Sequence, residues 1–220
     1  VQTNQFIYTR LDQNILADPD NLGPGCRFDP ASHTYHFVNA NWLSQVLMAA
    51  VYQVGGMNAL GLLQAALVAA IFLVLAWSMR RGGVAWQWIA AAIILMALAA
   101  HERFNLRPEV FGYLVLVGQW CLLLERDFTW GKACGVIGLQ VLAVNLHSYF
   151  LLGVVLSGCM LADALLRWLW ARTVTQADAQ AVRQQARRLA LATAGSAAAA
   201  FCNPWLARGA MMPLQTVLFL

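Results

Sequence analysis

Residues 57–79 read MNALGLLQAALVAAIFLVLAWSM, 23 consecutive residues without a charged side chain. As an α-helix rising about 1.5 Å per residue, this stretch is about 34 Å long, which exceeds the roughly 30 Å of a bilayer's hydrocarbon core. Gly55 and Gly56 precede it, and Arg80 and Arg81 follow it. The stretch therefore predicts a transmembrane α-helix with defined ends.

The composition extends this prediction from one segment to the whole chain. Of its 220 residues, 60% are hydrophobic and 11% are charged, and the mean hydropathy is +0.60. Soluble domains carry about 25% charged residues, so a water-soluble domain and a disordered chain are both excluded. Five cysteines are too few for a disulfide-stapled scaffold. The net charge of +4 fits basic loops beside a membrane, and no nucleic-acid partner is predicted.

We expect an all-α polytopic transmembrane protein with about seven spans. Residues 1–41 are rich in Pro, Gly, Asp and Asn, which predicts a loop outside the bilayer. Residues 42–56 are too short to span and have aromatic residues near their ends, which predicts an interfacial helix. Residues 57–220 form the transmembrane domain, with a cytosolic helical linker at 173–188. The predicted spans are 57–79, 84–100, 109–124, 133–146, 148–170, 189–202 and one beginning at 209.

Charge asymmetry between the two sets of loops predicts the orientation. Counted along these spans, one side carries nine of the 14 Lys and Arg residues and the other carries five. The positive-inside rule makes the richer side cytoplasmic, so loop 1–41 is expected to be periplasmic in a bacterial inner membrane. The chain begins with Val1, shows no signal peptide and stops within an apolar run. We therefore expect a piece of a longer protein.

Polar residues on the predicted outer side are candidates for chemistry, each with a plainer alternative. Arg103 and Arg107 lie four residues apart at the start of a predicted span. Their spacing is consistent with a phosphate clamp, or with interfacial side chains that extend their charged ends into water. His147 interrupts an apolar stretch, which favours a hydrogen bond to substrate over a helix-end histidine satisfied by backbone. The outer residues as a group fit binding of an anionic lipid headgroup or simple solvation.

Cofactor patterns are weak in this sequence. His33 and His36 with Asp29 form a poor metal pattern, for which a solvated loop is the better interpretation. A haem held by His101 and His147 is not predicted, because both lie at one membrane face and no second histidine pair exists. A glycine-rich phosphate loop is missing, so no nucleotide cofactor is expected.

Several segments occur together in an order that is typical of one enzyme family. They are residues 106–113 (LRPEVFGY), 144–153 (VNLHSYFLLG) and 203–205 (NPW), preceded by Asp18-Pro19 and by residues 39–45 (NANWLSQ). In these segments the chain resembles bacterial polytopic glycosyltransferases of the C-type (GT-C) fold. The resemblance implies a fragment from the N-terminal half of such a protein, or a degenerate member.

The resemblance implies a polyprenyl-phosphate sugar as donor, bound at the outer face, and a catalytic carboxylate in the first outer loop. Asp18 falls on the family's loop Asp and is expected to act as base or as ligand of a divalent cation, Mg²⁺ or Mn²⁺, with Asp20 as its neighbour. A base is needed because the acceptor hydroxyl loses a proton as it attacks. The substrate-binding residues expected from the matched motifs and the clamp are Arg103, Arg107, His147 and Asn203.

A second function class stays open beside the enzyme. Where the family usually has His-Glu, this chain has Ala40-Asn41, and a neutral amide cannot accept a proton as a carboxylate does. The alternative is a non-catalytic scaffold subunit of a larger membrane complex, with other membrane subunits as partners besides lipids. An enzyme should present an open polar cavity lined by Asp18, Arg107 and His147, whereas a scaffold should have these residues scattered or buried.

Overall fold

Among the described residues, a short β-hairpin precedes the helices. The computed structural model describes residues 38–125, 127–174 and 179–219, together with two strands, β1 (Arg27–Asp29) and β2 (Thr34–His36). The strands pair antiparallel, with Arg27 opposite His36. The sequence analysis did not predict this hairpin within loop 1–41. Every other regular element among the described residues is helical.

Helix α1 (Trp42–Arg81) contains a sharp break at its two adjacent glycines. Gly56 has φ 60° and ψ −148°, a conformation that side chains other than glycine rarely adopt. A Cβ on Gly55 would lie 2.8 Å from the Cβ of Ala59, too close for any other residue without a shift. The break therefore lies where the predicted interfacial helix 42–56 meets the predicted span. The interfacial location of the first part stays a prediction.

The remaining helices follow the predicted segments closely, with one exception. They are α2 (Trp86–Ala100), a 3-10 helix (His101–Phe104), α3 (Pro108–Leu123), α4 (Trp130–Leu146), α5 (Phe150–Val174), α6 (Ala179–Ala199) and α7 (Ala207–Phe219). The exception is the region predicted as a linker at 173–188 and a span at 189–202. There α5 extends to Val174, and one continuous helix, α6, crosses the predicted boundary at 188, since no Gly or Pro interrupts the chain there.

Within the described ranges, two helices are long and apolar enough to cross a membrane by length and composition. These are α1, with a peak mean hydropathy of 2.5, and α5 over Phe150–Arg172, with 1.8. Helices α3 and α4 are apolar but shorter. The structure thus supports a helical protein with two candidate spans, and the prediction of about seven is not confirmed.

The described core lies between α3, α4, α5 and α6. Two apolar clusters make up this core. One contains Leu123, Phe128 and Leu189, and the other contains Phe111, Leu146 and Phe150. Helix α6 contributes a buried stripe of mostly small residues at helical spacing, Ala186, Leu189, Ala192, Ser196 and Ala199. Small side chains let helix backbones approach closely. In α1 and α2, by contrast, only one apolar side chain each is fully buried, Ile71 and Ile89, and the rest are partly or largely exposed.

Two buried glutamines link three of these helices. Gln119 of α3 and Gln140 of α4 are both 0% exposed, and Gln119 Nε2 donates to Gln140 Oε1 at 2.8 Å. Gln140 Nε2 in turn donates to the carbonyl of Phe150, at the start of α5, at 2.8 Å. A buried amide without partners is costly, so these bonds favour one arrangement of the helices. Because Gly153 has no Cβ, the side chains of Gln119 and Gln140 can pack against its backbone.

Replacing Gly153 should test this amide network. A Cβ at Gly153 would collide with the Oε1 atoms of Gln119 and Gln140. We expect Gly153→Ala to lower the free energy of unfolding by about 1–3 kcal/mol, as overpacked cores do. Thermal unfolding in detergent measures this.

Gly138→Ala on α4 is the matched control, because a Cβ there meets nothing within 4 Å. Gly138→Ala should be neutral or raise the free energy of unfolding by about 0.4–1 kcal/mol, because alanine lowers the conformational entropy of the unfolded chain. Equal melting temperatures of the two variants would contradict the steric role of Gly153.

Candidate functional site

The turn between α4 and α5 gathers residues from several helices, and we call this region the His147 end. Asn145, in the last turn of α4, accepts a hydrogen bond from Trp42 Nε1 at 3.0 Å. Its Nδ2 donates to the carbonyls of Val141 and Cys202, each at 2.8 Å. One side chain therefore joins the start of α1, the end of α4 and the segment after α6.

Four polar or aromatic side chains form a continuous cluster at this end. Tyr113 donates from its hydroxyl to Glu109 Oε2 at 3.2 Å, one turn earlier on α3. The Tyr113 ring stacks with that of Tyr149, with centroids 6.2 Å apart. Tyr149 meets the ring of His147 edge-on at 4.2 Å. The cluster leads from partly exposed residues to a buried imidazole.

His147 has a defined protonation state in this setting. It is only 6% exposed, and its Nδ1 accepts a hydrogen bond from the backbone N–H of Tyr149 at 3.1 Å. A neutral ring with an accepting Nδ1 carries its proton on Nε2. Burial lowers the pKa of His147 below its ordinary 6.5, and the negative charge of Glu109 opposes this shift. The imidazole is thus held neutral near pH 7.

The space around His147 is small. A Cβ on Gly112 would lie 3.2 Å from His147 Cβ, so this glycine lets α3 approach the turn closely. The adjoining cavity measures about 10 Å³ and is lined mostly by apolar residues, together with Gln119, His147 and Tyr149. Neither Arg103 nor Arg107 lines it. Such a volume holds about one water molecule.

The two arginines predicted to bind phosphate are exposed at the start of α3. Arg107 is the residue before Pro108, which begins α3, and Arg103 lies in the preceding 3-10 helix. The backbone of that 3-10 helix is fixed by Gln64 Nε2, which donates to the Phe104 carbonyl at 2.7 Å.

The side chain of Asn203 is hydrogen-bonded to the backbone around it. Its Nδ2 donates to the carbonyls of Ala200 and Leu206 at 2.9 and 3.1 Å, and its Oδ1 accepts from Trp205 N at 2.8 Å. A Cβ on Gly209 would collide with the Asn203 side chain. These contacts favour a structural role for Asn203 in the turn before α7 over the predicted contact with substrate.

The predicted carboxylates of the outer loop lie outside the described residues, as does His33. This applies to Asp18, predicted as base or metal ligand, and to Asp20. Of His36, only the backbone of its strand is described. Within the described part of the chain, no group of three or more His, Cys, Asp and Glu residues is arranged to hold a metal ion.

The sequence places Glu109 among the polar residues of the predicted outer side but assigns no role to Tyr113 and Tyr149. Glu109 and Tyr113 are four residues apart, the spacing that places side chains together on one face of a helix. That spacing was a usable signal for their hydrogen bond. Tyr149 follows His147 by two residues, but its stacking on Tyr113 joins α3 to the turn before α5, which no local pattern reveals.

No family model, curated protein or solved structure matches the chain. The resemblance to GT-C glycosyltransferases therefore stays a hypothesis carried by the motifs quoted above. Function is inferred from those motifs together with the geometry of the His147 end.

The depressed pKa of His147 predicts a stability change with pH. Below about pH 6.5 the unfolded chain binds a proton that the folded imidazole resists, so stability is full above this pH and declines as pH falls. We expect the melting temperature in detergent to fall between about pH 7 and pH 5, and to fall less in His147→Gln.

His101 in the 3-10 helix provides the control, since its side chain is largely exposed and lies outside the buried cluster. His101→Gln should keep the pH dependence of the wild type. An unchanged pH dependence in His147→Gln would rule out His147 as its source.

Proposed function

We propose that the protein is a membrane glycosyltransferase that takes a sugar from a polyprenyl-phosphate donor at the periplasmic face of the bacterial inner membrane. The observation that carries the proposal is the joint position of exposed Arg107 and the Glu109–Tyr113 hydrogen bond at the start of α3. Cation, carboxylate and aromatic rings at one helix end suit a phosphate beside a sugar. The motif resemblance supports the same chemistry.

In this proposal the arginines stabilise the leaving group, which is the lipid phosphate. When the acceptor oxygen attacks the anomeric carbon, the bond from that carbon to the phosphate oxygen breaks and negative charge grows on the lipid phosphate. A guanidinium offers paired donors that match phosphate oxygens. Arg103 and Arg107 are exposed at the start of α3 and take this role in the proposal. Charge stabilisation of this kind is a large part of catalysis.

The proton of the acceptor hydroxyl requires a base. Asp18 has this role in the proposal, with Asp20 beside it, acting directly or as ligand of Mg²⁺ or Mn²⁺. Glu109 supplies a further carboxylate at the His147 end, although one of its oxygens accepts from Tyr113. The Tyr149 ring, partly exposed, offers an apolar face for a sugar and a polar tip.

A scaffold subunit is the second candidate, and two observations favour it. His147 is buried beside a cavity of only about 10 Å³, and Asn203 is engaged by its own turn. Neither residue is open to a ligand in this arrangement. The broad exposed apolar faces of α1 and α2 suit either lipid or protein neighbours.

Transfer assays on three variants separate the two candidates. Membranes containing the chain are supplied with a polyprenyl-phosphate-linked sugar, and transfer and donor retention are measured. We expect Asp18→Asn to abolish transfer while donor binding persists, since loss of a general base lowers the rate by about 10²–10⁴. Arg107→Ala should weaken both transfer and donor retention, because it removes a phosphate contact.

Arg208→Ala is the matched control, an exposed arginine on the same predicted side. It should leave both readouts unchanged. If Asp18 binds a metal, a chelator should stop transfer by the wild type and Mg²⁺ or Mn²⁺ should restore it. Full transfer by Asp18→Asn would refute the assignment, and no donor retention by the wild type would favour the scaffold.

A further inference from the structure

A basic groove lies between the last turns of α5 and the first turns of α6, and we call it the Arg172 groove. Its open volume is about 740 Å³. The residues that line it are Trp168, Arg172, Ala179, Gln180, Arg183, Gln184 and Arg187. Because α5 runs from Phe150, next to the turn of His147, to Val174, this groove lies at the far end of that helix from the candidate site.

Three arginines point to an anionic ligand in this groove. Arg183 and Arg187 are four residues apart on one face of α6, and like charges at this spacing destabilise a helix. Arg172 comes from α5, with its guanidinium 5.2 Å from the centre of the Trp168 ring. Stacking on an aromatic face orients a guanidinium and leaves its N–H groups available to a ligand.

Three other cations on the same predicted side are paired with carboxylates, whereas the groove arginines have no carboxylate partner within the described part of the chain. Arg167 bonds Asp163 at 2.9 Å, and Glu125 is shared by Arg81, also at 2.9 Å, and Lys132. Among the described residues that line the Arg172 groove, by contrast, there is no carboxylate. A ligand with negative charge would relieve the repulsion that remains.

The position of the groove favours a lipid as the source of that charge. Arg172 is the last residue of the candidate span in α5, so the groove lies at the level where such a span would leave the hydrocarbon core. Leu166 and Leu169, in the same part of α5, are 68% and 52% exposed. Acyl chains can cover these side chains while the headgroup reaches the arginines.

We propose that the Arg172 groove binds the phosphate headgroup of an anionic phospholipid, with its acyl chains against α5. Basic pockets between helices at the membrane surface recognise such headgroups through charge and bidentate hydrogen bonds. The site is separate from the His147 end and does not depend on the glycosyl transfer proposed there.

Binding is tested with water-soluble short-chain lipids and the purified chain in neutral detergent. The melting temperature is followed during titration with dihexanoyl phosphatidylglycerol, dihexanoyl phosphatidylcholine and inorganic phosphate. We expect phosphatidylglycerol to stabilise the wild type most strongly. In Arg183→Gln/Arg187→Gln its half-saturating concentration should rise about 25-fold, since each cation near an anionic surface contributes about fivefold.

Arg80→Gln/Arg167→Gln is the control, with the same loss of charge outside the groove; both arginines are exposed. It should titrate like the wild type. If the groove double variant does not fold, the single variants Arg183→Gln and Arg187→Gln replace it, each with an expected rise of about fivefold.

Two results would overturn the proposal. An equal response of the groove and control variants would show that general charge, and not the groove, attracts the lipid. Equal stabilisation by inorganic phosphate and phosphatidylglycerol would make the groove a site for a free phosphate group instead of a lipid.

Discussion

The arrangement of the His147 end depends on the side chain of Asn145. It receives a hydrogen bond from Trp42 and donates to the carbonyls of Val141 and Cys202, so it holds together segments that are far apart in the chain. Without it, the Trp42 indole N–H and the Cys202 carbonyl would each lose this hydrogen bond, and a polar group left without a partner is costly where water is excluded. The turn that carries His147 follows two residues later, and its position is fixed by the same bonds.

The amides of Gln119 and Gln140 have a similar role deeper in the bundle. They join α3 and α4 to the first residue of α5, just below the cavity beside His147. Polar groups in an apolar interior favour a single arrangement because other arrangements leave them unsatisfied. The amides and Asn145 therefore both hold segments next to His147, while Arg103 and Arg107 are exposed at the start of α3.

The sequence predicted most helices because long uncharged runs bounded by Gly, Pro or charged residues have few alternatives. In the structure Thr129 caps α4 by accepting a hydrogen bond from Lys132 N. The sequence placed the start of this helix at residue 133, three residues late, because Lys132 suggested a loop. It also divided α6, because a polar half and an Ala-rich half differ in composition but not in backbone preference. The Tyr113–Tyr149 stack depends on which helices become neighbours, and local patterns do not contain that information.

The central claim is that a lipid phosphate meets a carboxylate of the outer loop at the His147 end. An experimental structure of the chain with a polyprenyl phosphate bound tests it directly. The account predicts that the phosphate contacts Arg107 and that the Asp18 carboxylate lies within about 10 Å of this phosphate. From there the carboxylate reaches the acceptor hydroxyl directly or through water. A phosphate bound elsewhere, or Asp18 turned away from Arg107 and His147, would contradict the claim and leave a scaffold as the better account.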